Sequence, residues 1–239
     1  MKSIYVIPCY NEENNLKKLI ENCSEINKKN KNINFLLVNN GSLDNTEVKL
    51  KELSANHEFI STYSIKENIG YGFGIKSGIL NALELDQYDA IGWTHADLQI
   101  PLNTLLEATK IAENTSLGKE NYYIRGRRIT RPYFIDKVFT LLMGIYTSIV
   151  HFGLYWDITG LPVVTNKKFI KKIINEAPNG FALDVYTYVK AKKNKSKVIR
   201  FDVEFLEREA GESSWNNGVN AKLKMSIYYL KEILKIWTR

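Results

Sequence analysis

Four times before about residue 120, a short apolar run is followed by a segment whose apolar residues keep helical spacing. SIYVIPCY leads into NEENNLKKLIENCSEI, NFLLVNN into GSLDNTEVKLKEL, FISTYSI into NIGYGFGIKSGILNAL, and YDAIGWTHAD into PLNTLLEATKIAEN. The first runs of each pair have the length and β-branched content of buried strands, whereas Leu16, Leu19, Ile20, Cys23 and Ile26 recur on one helical face. Asn11 has the chemistry of that helix's N-cap. Strand and helix alternating at this spacing means right-handed βαβ units, hence an α/β fold with a mostly parallel central sheet flanked by helices. Ligands of such sheets bind beyond the carboxyl ends of the strands. The polar clusters NEE, NNGS and HADLQ all fall there and are expected to converge on one site.

Composition sets the bounds. A chain of 239 residues with 44% apolar content can bury a sizeable core as one domain. The excess of 33 basic over 26 acidic residues favours anionic partners without choosing among nucleic acid, nucleotide and lipid headgroup. Cys9 falls in a strand pattern and Cys23 on an apolar helix face, so both read as buried thiols in a reducing compartment. The chain runs straight into a strand, and no signal peptide is expected.

After about residue 120 the pattern changes. YYIRGRRITRPYF leads into a stretch from Val138 to Trp156 with no Asp, Glu, Lys or Arg. WDITGLPVVTNKKFIKKII, GFALDVYTYVKAKK, a strand KVIRFDVEFLERE and a loop AGESSW follow, before a final NAKLKMSIYYLKEILKIWTR. No repeat or low-complexity linker separates a second domain.

Taken in order, VIPCYNEE, VNNGSLDNT, NIGYGFGIKSG, HADLQIP, RGRRITR, WDITG, FALDVY and EREAGESSW resemble family 2 glycosyltransferases of the GT-A fold, and most closely the branch of dolichol-phosphate mannosyltransferase and bacterial polyprenyl-phosphate glycosyltransferases. The resemblance covers nearly the whole chain and implies one GT-A domain over 1–239: a nucleotide-sugar half at 1–120, an acceptor half at 121–215 and an amphipathic helix at 216–239. It implies that Pro8, Tyr10 and Glu12 belong to the nucleotide loop, with Asn40 where the family has an acid facing the base or ribose. Asn68, Gly70 and Gly72 would let the backbone pass close to the nucleotide. Asp97 and Gln99 would hold a divalent metal, Mn²⁺ or Mg²⁺, on the diphosphate, and Asp184 would face the reacting centre. Arg127, Arg128 and Arg131 would meet an acceptor phosphate, while a loop from Arg208 through Ser213 to Trp215 would cover the donor. The family usually writes two acids where this chain has Asn39 and Asn40, and an acid where it has His95. Both changes remove negative charge from the donor site.

The residues also speak for themselves. His95, Asp97 and Gln99 alternate, so they can share a face; Asp97 is a hard anionic ligand, and His95 as a third ligand suits Mn²⁺ better than Mg²⁺. The plain alternative is a polar strand-to-helix turn, with His95 only supporting the site through hydrogen bonds. Glycines in GYGFG come after the third strand, not the first, which excludes a dinucleotide-binding oxidoreductase. Arg125, Arg127, Arg128 and Arg131 precede an apolar helix, pairing guanidinium forks with a surface for a lipid tail; the alternative is a solvated basic strand end. Val138–Trp156 is long enough to span a bilayer, but its Thr, Ser, Gly and His content suits a surface-lying or sheet-packed amphipath. The last helix puts Leu223, Ile227, Leu230, Leu234 and Trp237 on one face, a membrane contact or a docked terminal helix.

The resulting expectation is a metal-dependent transferase, peripheral at the cytoplasmic membrane face, moving a sugar from a nucleotide diphosphate to a polyprenyl phosphate, with inversion at the anomeric carbon as the family resemblance implies. Nucleic acid is not an expected partner. One rival is a same-fold transferase acting on a sugar hydroxyl, with Asp184 as general base. The other is a non-catalytic nucleotide-sugar-binding protein.

Overall fold

Burial is unbroken along Ser3–Cys9 (β1) and nearly so along Ile33–Asn40 (β2), as in strands covered on both faces. The computed structural model describes residues 1–118, 120–130, 134–207 and 218–238, with the backbone alone at 218–222 and 238. The remaining elements follow in order: Leu16–Lys29 (α1), Thr46–Ser54 (α2), Ile60–Ile65 (β3), Tyr71–Glu84 (α3), Ala90–Trp93 (β4), Thr104–Ser116 (α4), Tyr122–Arg128 (β5), Phe134–Val150 (α5), Val163–Asn166 (β6), Lys167–Ile173 (α6), Leu183–Lys193 (α7), Lys197–Val203 (β7) and Gly218–Lys235 (α8).

One seven-stranded sheet takes them in the order β3-β2-β1-β4-β6-β5-β7. The β1–β2, β2–β3 and β1–β4 pairs are parallel, as the strand–helix alternation requires. β6 is the reversed strand, antiparallel to both β4 and β5, and β5 runs parallel to β7. The first half and the second half therefore share one sheet, joined through β4 and β6. Cys9 and Cys23 are buried, and burial pushes both thiols up, as inert interior cysteines should behave.

Two sequence expectations are corrected. Asn11 does not cap α1, which starts at Leu16 behind Asn15. Asn11 takes a left-handed backbone (φ 54°), and its side-chain oxygen instead accepts the Leu43 N–H at 2.8 Å. It ties the β1 loop to the β2 loop. The uncharged stretch does not begin a helix at Val138 and carry it to Trp156; α5 spans Phe134–Val150, and the chain turns beyond it.

α5 packs chiefly on α8, not on the sheet. Tyr146 Oη reaches the Leu230 carbonyl at 3.5 Å, His151 Nε2 lies 3.0 Å from the Ile233 carbonyl, and Trp237 Nε1 donates to the Val150 carbonyl at 2.9 Å. α8 buries Ile233, and Ile236 beyond it is buried too, whereas Leu223, Ile227, Leu234 and Trp237 of the face singled out above stay about half exposed. Phe134, Leu142 and Ile149 of α5 and Phe152 and Leu154 of the following turn are also exposed, Phe152 at 86%. The two helices thus present an open apolar surface.

Candidate functional site

The carboxyl ends of β1, β2 and β4 lie side by side, so the loops that follow them crowd together. Asn11 N–H donates to Ser42 Oγ, Glu12 N–H to Thr46 Oγ1 at 2.9 Å, and Asn45 Nδ2 to Glu13 at 3.0 Å. Pro8 is buried in β1, Tyr10 is exposed at its end, and Glu12 accepts from Asn15 Nδ2. Amide, hydroxyl and carboxylate groups brace these loops, and Lys49 pairs with Glu13 at 3.3 Å.

Asn40 is 2% exposed, and its Nδ2 donates to the Gly70 carbonyl at 3.2 Å. It is therefore folded under the first turn of α3 instead of facing outward. Gly70 has φ +139°, and a Cβ there would stand 2.5 Å from the Asn179 carbonyl oxygen. The close approach this glycine permits is to the protein's own 178–180 segment. A Cβ on Gly72 would likewise fall 2.4 Å from the Gly180 carbonyl oxygen. Asn68 is exposed in the same loop.

At the end of β4, Asp97 is 8% exposed and its Oδ1 accepts the Gln99 N–H at 3.2 Å. Gln99 Nε2 donates to the Leu206 carbonyl at 3.1 Å, and Leu206 N–H returns to Gln99 O at 2.7 Å. That pair moors the β4 turn to the segment leaving β7. The half-buried His95 packs on Tyr71, with ring centroids 5.0 Å apart, and Tyr71 stacks on Phe181 at 5.2 Å and 15°. Among the described residues, no three of His, Cys, Asp and Glu form a ready cation cage.

Asp184, at the start of α7, is 4% exposed. Trp93 Nε1 donates to its Oδ1 at 2.8 Å across 91 residues of sequence. Burial pushes the Asp184 carboxyl above the usual carboxylate range, opposed in part by the Trp93 indole and then by His95 and Arg125. Tyr71 is pushed up in turn, first by burial and then by the Asp184 and other charges beside it.

The arginines are not a free cluster. Arg128 forms a bidentate pair with Asp157, adds a bond to Thr159 Oγ1 at 2.7 Å, and leaves only 10% of its side chain exposed. Arg127 pairs with Asp202 at 2.6 Å, with both side chains about half exposed. Arg125 is 1% exposed, lies with Cζ 4.1 Å from the Tyr188 ring centre, and uses Nη2 on the Asp157 and Gly160 carbonyls. Arg131, Arg208, Ser213 and Trp215 lie outside the described residues.

Sequence reasoning missed Trp93, Tyr71, Phe181 and Asp157. Asp157 has a signal in the WDITG motif, although the motif names no partner for its acid. The aromatic residues have none, because their bonds depend on which strand ends meet.

A family model described as Glycosyl transferase family 2 matches residues 5–133, more than half of the chain. A dolichyl-phosphate beta-glucosyltransferase of Trichomonas vaginalis is 28% identical over 98% of this chain and 75% of its own length. A dolichol-phosphate mannosyltransferase of Pyrococcus furiosus is 25% identical over 99% of this chain, which spans 64% of that relative's length. Among solved structures, glucosyl-3-phosphoglycerate synthase from Mycobacterium tuberculosis, in complex with Mn²⁺, uridine diphosphate and glucosyl-3-phosphoglycerate, superposes with a TM-score of 0.70 at 12% identity, covering 98% of this chain and 79% of that one. A mannosyltransferase from Pyrobaculum calidifontis in complex with GDP-Man and Mn²⁺ gives 0.61 at 13% identity, covering 98% and 72%. Both share the fold of this chain.

Proposed function

The chain belongs to glycosyl transferase family 2, and from that premise we propose that it moves a sugar from a nucleotide diphosphate to a polyprenyl phosphate at a membrane surface. The observation that carries this reading is the open apolar face of α5 and α8 beside the Arg128–Asp157 pair. A surface groove of about 440 Å³ is lined by Ile145, Ile149, Leu154 and Trp156, the last of which precedes Asp157 in the chain. In this reading the isoprenoid tail would lie in that apolar groove and its phosphate would reach towards the strand-β5 arginines. Lys224, Lys231 and Lys235 on α8 are exposed around the apolar face, which suits anionic headgroups. We propose peripheral contact at the cytoplasmic leaflet through this face; no helix among the described residues is long and apolar enough to cross a membrane.

The donor would sit over the ends of β1, β2 and β4, with Pro8, Tyr10, Glu12, Asn68, Gly70 and Gly72 forming its walls. A divalent ion, Mn²⁺ or Mg²⁺, would draw one hard carboxylate from Asp97 and most of its ligands from the diphosphate, a donor set such ions accept. His95 and Gln99 flank that carboxylate, His95 held by its stack on Tyr71. When bound, the ion neutralises charge developing on the leaving diphosphate. Arg128, oriented by Asp157, would fix the acceptor phosphate, with Arg131 and the loop of Arg208, Ser213 and Trp215 completing the site. A phosphate acceptor is already anionic and needs positioning more than deprotonation. We read the whole of 1–239 as one catalytic unit.

One observation favours a second reading. Asp184 is a buried carboxyl with raised proton affinity at the site, the character of a general base for a sugar hydroxyl. Transfer of radiolabelled sugar to added polyprenyl phosphate decides between them. Label should appear in the organic extract, need a divalent ion, and fall by about 100-fold or more in Asp97→Ala. Label confined to the aqueous phase sinks the lipid-phosphate reading; full turnover of Asp97→Ala sinks the metal role.

A further inference from the structure

The side chain at position 40 stands where the sequence resemblance puts an acid facing the nucleotide, yet it is 2% exposed and points into the protein. Its Nδ2 donates to the Gly70 carbonyl at 3.2 Å, and the same carbonyl accepts the Gly74 N–H at 3.3 Å to open α3. Gly74 lies directly on the amide: a Cβ there would come 2.8 Å from Asn40 Cγ and 2.9 Å from Oδ1. Asn40 Oδ1 is buried with no hydrogen-bond partner, so the amide is held by its nitrogen end alone. Turning it over would put Oδ1 against the Gly70 carbonyl oxygen, two acceptors facing each other.

We infer that Asn40 is a positioning residue: its amide N–H latches the Gly70 turn onto the end of β2 and so fixes the donor loop, and the side chain does not read the nucleobase. The turn it holds is demanding. Gly70 sits at φ +139°, and the Phe73 N–H bonds to the Asn179 carbonyl at 2.8 Å. A latch at the Gly70 carbonyl thus also sets where the 178–181 segment, and Phe181 stacked on Tyr71, can lie. The need for a donor explains an amide where a carboxylate would fail. An ionised carboxylate at this position would offer only acceptors to the Gly70 oxygen and would bury its charge against that carbonyl.

The sense of the effect separates a latch from a base reader. Asn40→Ala removes the bond and leaves a small void; Asn40→Asp keeps the shape and reverses the polarity. Asn40→Asp should therefore be the less stable at pH 7.5, with an unfolding midpoint about 3 °C or more below wild type and below Asn40→Ala. Gly74→Ala, which presses on the same amide, should shift the midpoint in the same direction. In transfer assays Asn40→Ala should raise the KM for the sugar nucleotide about tenfold, while relative affinities for UDP, GDP and CDP stay unchanged. The unfolding measurements need no nucleotide, so they stand even if the transfer reaction proposed above proves wrong. An Asn40→Asp protein as stable as wild type, or one whose preference among the three diphosphates changes, overturns the latch. If Asn40→Asp does not fold at all, the midpoints of Asn40→Ala and Gly74→Ala and the KM of Asn40→Ala decide the matter.

Discussion

The ends of β1 and β2 and the end of β5 are braced in different ways. At the ends of β1 and β2 the loops are braced by many hydrogen bonds of amides, hydroxyls and carboxylates: Asn11 to Leu43, Asn40 to Gly70, Glu12 N–H to Thr46, and Asn45 and Lys49 to Glu13. At the end of β5 the bracing is ionic, with Arg128 locked to Asp157 and Arg127 to Asp202. The buried ionic brace keeps an oriented cation in place, the preorganisation that the anionic acceptor proposed above would require. The largest test of the contrast is to break the buried ion pair. Asp157→Ala should cost about 3–5 kcal/mol, because Arg128 would stay buried without its carboxylate. Thermal unfolding measures it, and a loss no larger than about 1 kcal/mol would show the pair to be a surface-type bridge.

What the sequence makes legible divides along the same line. The first 120 residues repeat a strand–helix unit whose register follows from period alone, so its strands, the parallel sheet and the placing of NEE, NNGS and HADLQ at the carboxyl ends of strands can all be read. Within it, Asn11 reads as a cap because a cap and a loop brace use the same residue type, and only the turn geometry separates them. The chain beyond residue 120 has no such period. The reversed β6 brings Asp157 to Arg128 and β7 brings Asp202 to Arg127, pairings set by strand order. Trp93 and Asp184, 91 residues apart, meet for the same reason. Local pattern carries no information on such contacts.

Asp184 sharpens the comparison at intermediate size, as a buried carboxyl bonded to an indole where Asp157 is bonded to a guanidinium. Burial raises its folded proton affinity above the unfolded value. The sign follows: its protonated form contributes stability that is fully present below the unfolded pKa and lost as pH rises through the folded one. Asp184→Asn should therefore raise the unfolding midpoint near pH 7.5, by about 2–4 °C for each kcal/mol of relieved penalty, and the gain should fade towards pH 4. If the acceptor is a lipid phosphate, the same variant should keep most of its transfer activity. A variant destabilised at pH 7.5 would mean that the ionised carboxylate is a net stabiliser, as Asp157 is expected to be.

The smallest expected effect belongs to the exposed pair, and it separates structure from function on one strand. Arg127 and Asp202 hold each other at 2.6 Å with both side chains near half exposed, so solvent and salt screen the attraction. Arg127→Ala should leave the unfolding midpoint within error of wild type, unlike the change at Asp157. If Arg127 meets the acceptor phosphate, the variant should still raise the acceptor KM about tenfold with the donor KM unchanged, since a charge-assisted bond to phosphate is lost. Asp202→Asn should act in the other direction, freeing the guanidinium and lowering the acceptor KM, and more so at low salt. A midpoint that falls as far as in Asp157→Ala would place Arg127 among the structural charges. An acceptor KM unmoved by either substitution would confine the phosphate contact to Arg128 and the residues beyond it.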